Sequence, residues 1–193
     1  MKILAISGSL RRDSHNTSLL RAAAELAGDE VDFDLWDGLK AVPPYDEDDD
    51  VEPVPAAIAR LRAAFAGTDA VLFATPEYNG SIPGQLKNAL DWASRPVATN
   101  PLRGVPVAVV GASAGVFGAV WAQADLRKVL ALIGARVLAR ELPVSSARTR
   151  FDADGRLVDD EVRAALAETV NELATAADER AAAAAAQAAP RAA

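Results

Sequence analysis

Three polar stretches hold the residue types that bind ligands. The most informative is Pro76-Glu77-Tyr78-Asn79-Gly80, which follows directly on the apolar run 70–74. Pro83 and Gly84 then open a helical pattern that ends near Trp92. Ligands of open parallel sheets bind beyond the carboxyl ends of strands, and this loop occupies such an end. An exposed tyrosine there is placed to meet a flat ligand. Asn79 and the backbone of 77–80 offer donors and acceptors to a heterocycle edge.

The second stretch joins the first apolar run to the first helical pattern. It gathers Ser9, Arg11, Ser14, Asn16 and Thr17 at a helix N-terminus. Free N–H groups and the helix dipole favour a phosphate there. Neither G-x-x-x-x-G-K-[ST] nor G-x-G-x-x-G is present. The loop therefore suits a terminal monophosphate, not a triphosphate or a dinucleotide pyrophosphate. A plain helix cap would use Ser14 or Asn16 but would not call for Ser9 and Arg11 as well. His15 reads as a partly exposed neighbour of the cap.

The third stretch is Gly111-Ala112-Ser113-Ala114-Gly115, which has the G-x-S-x-G form of a hydrolase nucleophile elbow. In that fold the histidine follows the serine in chain order. The single histidine, His15, precedes Ser113, so the triad cannot be completed in that order. Ser113 is better read as a small polar group lining a ligand, with glycines allowing close approach.

These loops need a frame, and the apolar periodicity supplies one. Strands are expected over 3–6, 31–35, 70–74, 105–110 and 135–142. Helices are expected over 14–27, 55–66, 83–94, 117–133 and 159–177. Residues 38–55, with four prolines and the run Asp46-Glu47-Asp48-Asp49-Asp50, read as a long surface loop. Asp154-Gly155 marks a turn. Strict alternation of strand and helix implies a parallel sheet covered on both faces, an α/β three-layer sandwich. With five strands the order 2-1-3-4-5 is expected, and its switch point lies between the first and third strands. The two most unusual loops follow those two strands. One domain is expected over 1–180. The alanine-rich tail 181–193 has no face to bury and is expected to fray or be disordered.

Composition narrows the chemistry. The chain has 193 residues and no cysteine, which removes disulfides, thiolate catalysis and cysteine metal sites. One histidine cannot furnish a structural zinc site, and no metal is expected. The net charge of -7 argues against nucleic acid and anionic membranes. No apolar run is long enough for a transmembrane helix, and the N-terminus reads as a first strand, so a cytoplasmic protein is expected.

Taken together, 8–16, 76–79 and 83–92 resemble the NAD(P)H-dependent FMN reductases of the flavodoxin-like fold, which include quinone, chromate and azo-dye reductases. The resemblance spans roughly 2–175. It implies that Ser9, Arg11, Ser14, Asn16 and Thr17 hold the FMN phosphate. It implies that Glu77, Tyr78, Asn79 and Gly80, in the loop opened by Pro76, hold the isoalloxazine, with Ser113 as a third contact. It also implies NADPH or NADH as donor, a small acceptor such as a quinone, ping-pong hydride transfer and a homodimer or homotetramer. No side chain need act as acid or base. One position departs from the family: Gly-Gly-x-Arg is replaced by Gly118-Ala119-Val120-Trp121. The alternative readings are a flavodoxin-type electron carrier that does not oxidise NAD(P)H and, further off, a Ser113 hydrolase.

Overall fold

The computed structural model describes residues 1–188. Five strands alternate with five long helices in these residues: β1 Lys2–Ser7, α1 His15–Ala27, β2 Asp32–Trp36, α2 Ala56–Ala66, β3 Ala70–Ala74, α3 Gly84–Ala93, β4 Pro106–Ala112, α4 Val120–Leu132, β5 Arg136–Val144 and α5 Asp160–Ala188. The sheet order is β2-β1-β3-β4-β5. Every pairing is parallel, with Ile3 opposite both Phe33 and Ala70. This is the flavodoxin-like arrangement read from the alternation. Among the described residues no helix is long and apolar enough to cross a membrane.

Alternate residues of each central strand feed two cores. Ile3, Ala5, Leu72 and Val110 face α1 and α5, where they meet Leu19, Leu20, Leu166 and Val170. Leu4, Ile6, Phe73 and Val109 face α2, α3 and α4, where they meet Ile58, Leu61, Leu86 and Leu126. All five residues of β3 are buried. A strand covered on both faces must be apolar at every position, which is why 70–74 shows no alternation.

The segment after β2 is not the simple surface loop expected. Leu39 and Val42 are buried in the core with Ile58 and Leu61. The Gln85 side chain donates to the carbonyls of Leu39 and Val42, and Asn88 and Trp92 both donate to that of Pro43. Tyr45 meets the Trp92 ring edge-on at 4.9 Å. The prolines remove backbone donors, and polar side chains of α3 take up the freed carbonyls instead. Arg62 closes this region from α2. It donates to both oxygens of Asp50 at 2.8 Å and to the Trp92 carbonyl.

The turn at Asp154-Gly155 is present, with Gly155 at φ 77 and Phe151 bridged to Leu157. Helix α5 continues past the expected end at 177 as far as Ala188, and its residues from 181 onward are exposed. Alanine has the highest helix propensity, which suffices to extend the helix without a packed face. The remainder of the tail expected to fray lies outside the described residues.

Candidate functional site

The loops after β1, β3, β4 and β5 crowd the carboxyl edge of the sheet. The first begins at Gly8, whose N–H donates to the Ala74 carbonyl at 2.8 Å. A Cβ there would come within 2.9 Å of a Leu86 methyl, so a side chain at this position would require Leu86 to shift. Ser9 accepts from Arg11 N–H at 3.3 Å, and the Arg11 guanidinium donates back to the Asp13 carbonyl. Ser14 caps α1 by accepting from Thr17 N–H. Helix geometry leaves the remaining first-turn N–H groups without intrahelical partners.

Asn16 is buried and committed. Its amide donates to the Ala112 carbonyl and accepts from the Ala112 N–H, both at 2.9 Å. One amide hydrogen is left for a ligand. Thr17 donates to Ser7 Oγ at 2.9 Å and faces a neighbouring hollow rather than the main cleft.

The second loop is a tight hairpin. Tyr78 and Ser81 exchange two backbone hydrogen bonds of 3.0 and 3.2 Å. Between them Asn79 and Gly80 both have positive φ, 54° and 74°. Two left-handed residues in a row favour Asn-Gly, so the pair is explained first by the turn. The turn holds Tyr78 outward, 50% exposed. Glu77 reaches across to α4, where its Oε2 accepts from Trp121 N–H at 3.0 Å and Ala122 N–H at 3.1 Å. Helix α4 lacks a cap of its own, because its N-cap position is Ala119 in a left-handed conformation. A carboxylate at a helix N-terminus satisfies orphan donors and complements the dipole.

The third loop is fixed at both ends by glycine. A Cβ on Gly111 would lie 2.9 Å from the Thr75 carbonyl oxygen, and one on Gly118 would lie 2.6 Å from Pro143 backbone. Ser113 Oγ accepts from Gly115 N–H at 3.0 Å. His15 stacks on Phe151 with ring centroids 5.3 Å apart. Ser113 and His15 line the same cleft, yet neither is hydrogen-bonded to the other among the described residues. The arrangement gives no nucleophile–base pair.

That cleft measures about 250 Å³. Of the expected site residues, it brings together Ser9, Arg11, Ser14 and Asn16 with Pro76, Glu77, Tyr78 and Ser113. Thr17, Asn79 and Gly80 lie outside its lining. A second, more apolar hollow of about 350 Å³ shares Arg11 and Tyr78 and runs toward Pro83 and Gln85. Four residues not expected in the site also line the cleft: Ala112, Ala114 and the two ionisable residues His15 and Arg148. Burial, then the guanidiniums of Arg11 and Arg148, hold the His15 imidazole below its ordinary value of 6.5. Arg148 had an available signal. It sits in the polar stretch 145–150 directly after β5, at the same sheet edge as the other loops.

Similarity to known proteins agrees with this geometry. Residues 1–149 match the family model described as NADPH-dependent FMN reductase. The chain is 46% identical over 164 residues to an NAD(P)H-dependent FMN reductase of Pseudomonas aeruginosa, covering 84% of this chain and 88% of that one. It is 40% identical over 164 residues to a 2-hydroxy-1,4-benzoquinone reductase of Burkholderia, with the same coverage of 84% and 88%. The solved structure of FerB, a flavoenzyme NAD(P)H:(acceptor) oxidoreductase from Paracoccus denitrificans, superposes with a TM-score of 0.84 at 35% identity. That superposition covers 92% of this chain and 97% of FerB. With its switch-point cleft, its hydroxyl and guanidinium groups at the start of α1 and its outward Tyr78, the chain belongs to the NADPH-dependent FMN reductase family.

Proposed function

We propose that this protein is an FMN-dependent oxidoreductase that oxidises NADPH or NADH and reduces a small quinone-type acceptor. The observation that carries the reading is the single cleft joining a phosphate-type end to a flat-ring end. Ser9, Arg11 and Ser14, with the open first turn of α1, form the first end. Pro76, Glu77, Tyr78 and Ser113 form the second, with Asn79 and Gly80 making the turn that holds Tyr78 outward. The donor set fits FMN: a cationic group and hydroxyls for a monophosphate, and an exposed aromatic beside backbone donors for the ring. A flavin held there would supply the redox chemistry, two-electron transfer from a nicotinamide to the acceptor.

The protein's own task is to hold and orient. Arg11 and the α1 terminus anchor one end of the cofactor, while the hairpin fixes the tilt of the other. Hydride transfer needs reacting atoms within about 3–3.5 Å, so a loose ring would lose rate before it lost affinity. Donor and acceptor alternate at one open face beside Tyr78, which gives ping-pong kinetics. The apolar hollow between Tyr78 and Pro83 offers space for a flat acceptor.

The active form is a homodimer or a pair of dimers in the cytoplasm. Phe117 and Trp121 are 60% and 49% exposed, and their rings lie 4.8 Å apart. Paired exposed aromatics of this kind are typical interface anchors. A monomeric mass at micromolar concentration with full activity would refute the assembly.

The test of the function is direct. Apo protein reconstituted with FMN is mixed anaerobically with NADPH or NADH, and the flavin absorbance is followed, then a quinone is added. Bleaching well above background and recovery with quinone are expected. If neither nucleotide bleaches the bound flavin, the enzyme reading fails and an electron carrier takes its place.

A further inference from the structure

Arg148 lines the cleft and forms no salt bridge among the described residues. The chain is acidic overall, and several of its arginines are paired. Arg62 binds Asp50, Arg136 binds Glu179, Arg140 binds Glu168 and Glu172, and Arg150 binds Asp159. Arg148, only two residues before Arg150, has no carboxylate within salt-bridge distance among the described residues. Other arginines are also unpaired among the described residues, but only Arg11 and Arg148 combine that with a place in the lining of the cleft.

Its placement is fixed by the backbone. Arg148 sits in the short turn Ala147–Thr149, whose Ala147 is fully buried. Ala147 N–H donates to the Ser113 carbonyl, and Ser146 N–H donates to the Gly115 carbonyl, both at 2.9 Å. Ser146 takes a left-handed conformation, φ 51, to make that turn. The loop after β5 is thus tied to the loop after β4, and Arg148 lines the cleft from that wall. Arg11 lines it from the β1 wall. Both guanidiniums act on His15, the first residue of α1, from their two sides.

We propose that Arg148 is a second guanidinium for the phosphate monoester of FMN, closing the phosphate end of the cleft from the β5 side. The inference rests on the FMN reading given above. A phosphate monoester carries close to two negative charges near neutral pH, and Arg11 supplies one positive charge. Arg148 brings a second cation and a further set of donors to the same helix terminus. Guanidinium suits this task because its planar fork matches phosphate oxygens.

The experiment compares two flavins that differ only in the phosphate. Apo protein is titrated with FMN and with riboflavin, following flavin fluorescence, for the wild type, Arg148→Ala and Arg148→Lys. Arg148→Ala should weaken FMN roughly 10- to 100-fold, the range of a charge-assisted hydrogen bond. Riboflavin affinity should stay within about two-fold, and Arg148→Lys should recover part of the loss. Because Arg148 is exposed, the variant should fold, and an unchanged thermal midpoint checks this. Equal FMN affinity in wild type and Arg148→Ala would overturn the inference and leave the functional reading intact. Equal weakening of both flavins would also overturn it, since it would point to the ring end. A wild type that bound neither flavin would overturn the functional reading and this inference with it.

Discussion

Asn16 and Ala112, 96 positions apart in the chain, exchange two hydrogen bonds of 2.9 Å through one buried amide. The contact links the first turn of α1 to the end of β4. It therefore ties the wall of the cleft that carries Ser14 to the wall that carries Ser113. Only an amide can both donate and accept in that geometry.

Asn16→Ala removes both bonds and strands a buried N–H and a buried carbonyl. A cost of about 2–4 kcal/mol is expected, because each orphaned group costs about 1–3 kcal/mol. Urea denaturation of the apo protein measures it. A loss under about 1 kcal/mol would mean that water replaces the amide freely.

Glu77→Ala uncaps α4. The expected loss is about 0.5–2 kcal/mol, the range for a helix cap, with Glu77→Gln in between. The same denaturation series reads this. If Glu77→Gln proves as stable as wild type, the charge contributes nothing and the hydrogen bonds alone account for the cap.

Asn79 separates two roles in one residue. Asn79→Ala places a side chain without turn preference at φ 54, whereas Asn79→Gly keeps the turn and removes the amide. If the amide orients the flavin, both variants should slow flavin reduction in stopped flow, with FMN affinity little changed. Normal reduction in Asn79→Gly would show that the residue serves the turn alone.

His15 is the only histidine, so one imidazole resonance reports on the cleft. Its titration midpoint should fall below 6.5, and Arg148→Ala should move it upward by removing one of the cations that depress it. The unfolded chain then binds the proton more readily than the folded one. Stability is full above about 6.5 and falls as pH drops from there through the folded midpoint. Compared with His15→Phe, wild type should lose relative stability across that window in urea titrations at several pH values. Parallel curves for the two proteins would contradict the shift.

The fold was legible because it depends on patterns that the chain repeats. Residues 70–74 are apolar throughout, and their strand is buried on both faces. The three loops were legible because Gly, Ser, Asn and Tyr stand out between apolar runs. What the residues did not disclose were relationships between distant loops. Nothing near Asn16 indicates that it binds Ala112, and nothing near Glu77 indicates that it caps a helix more than 40 positions on. Such pairings follow from which strands lie side by side. Arg148 carried a partial signal, its place in the polar stretch after β5, but only the fold brings the end of β5 beside the start of α1. The segment after β2 was misread as surface because prolines and acids outnumber Leu39 and Val42, the two residues that anchor it.

The glycines that bracket the third loop have an evolutionary consequence. Neither Gly111 nor Gly118 can acquire a side chain without striking backbone. Of the positions between them, 114–117 are exposed and 113 is half-exposed. The loop is a cassette with locked ends and replaceable contents, and its Ser113 and Ala114 line the cleft. A lineage that rewrites Ser113 to Phe117 changes the lining of the cleft while the path of the chain stays the same. Saturation libraries confined to those five positions should keep their fold far more often than libraries that include either glycine.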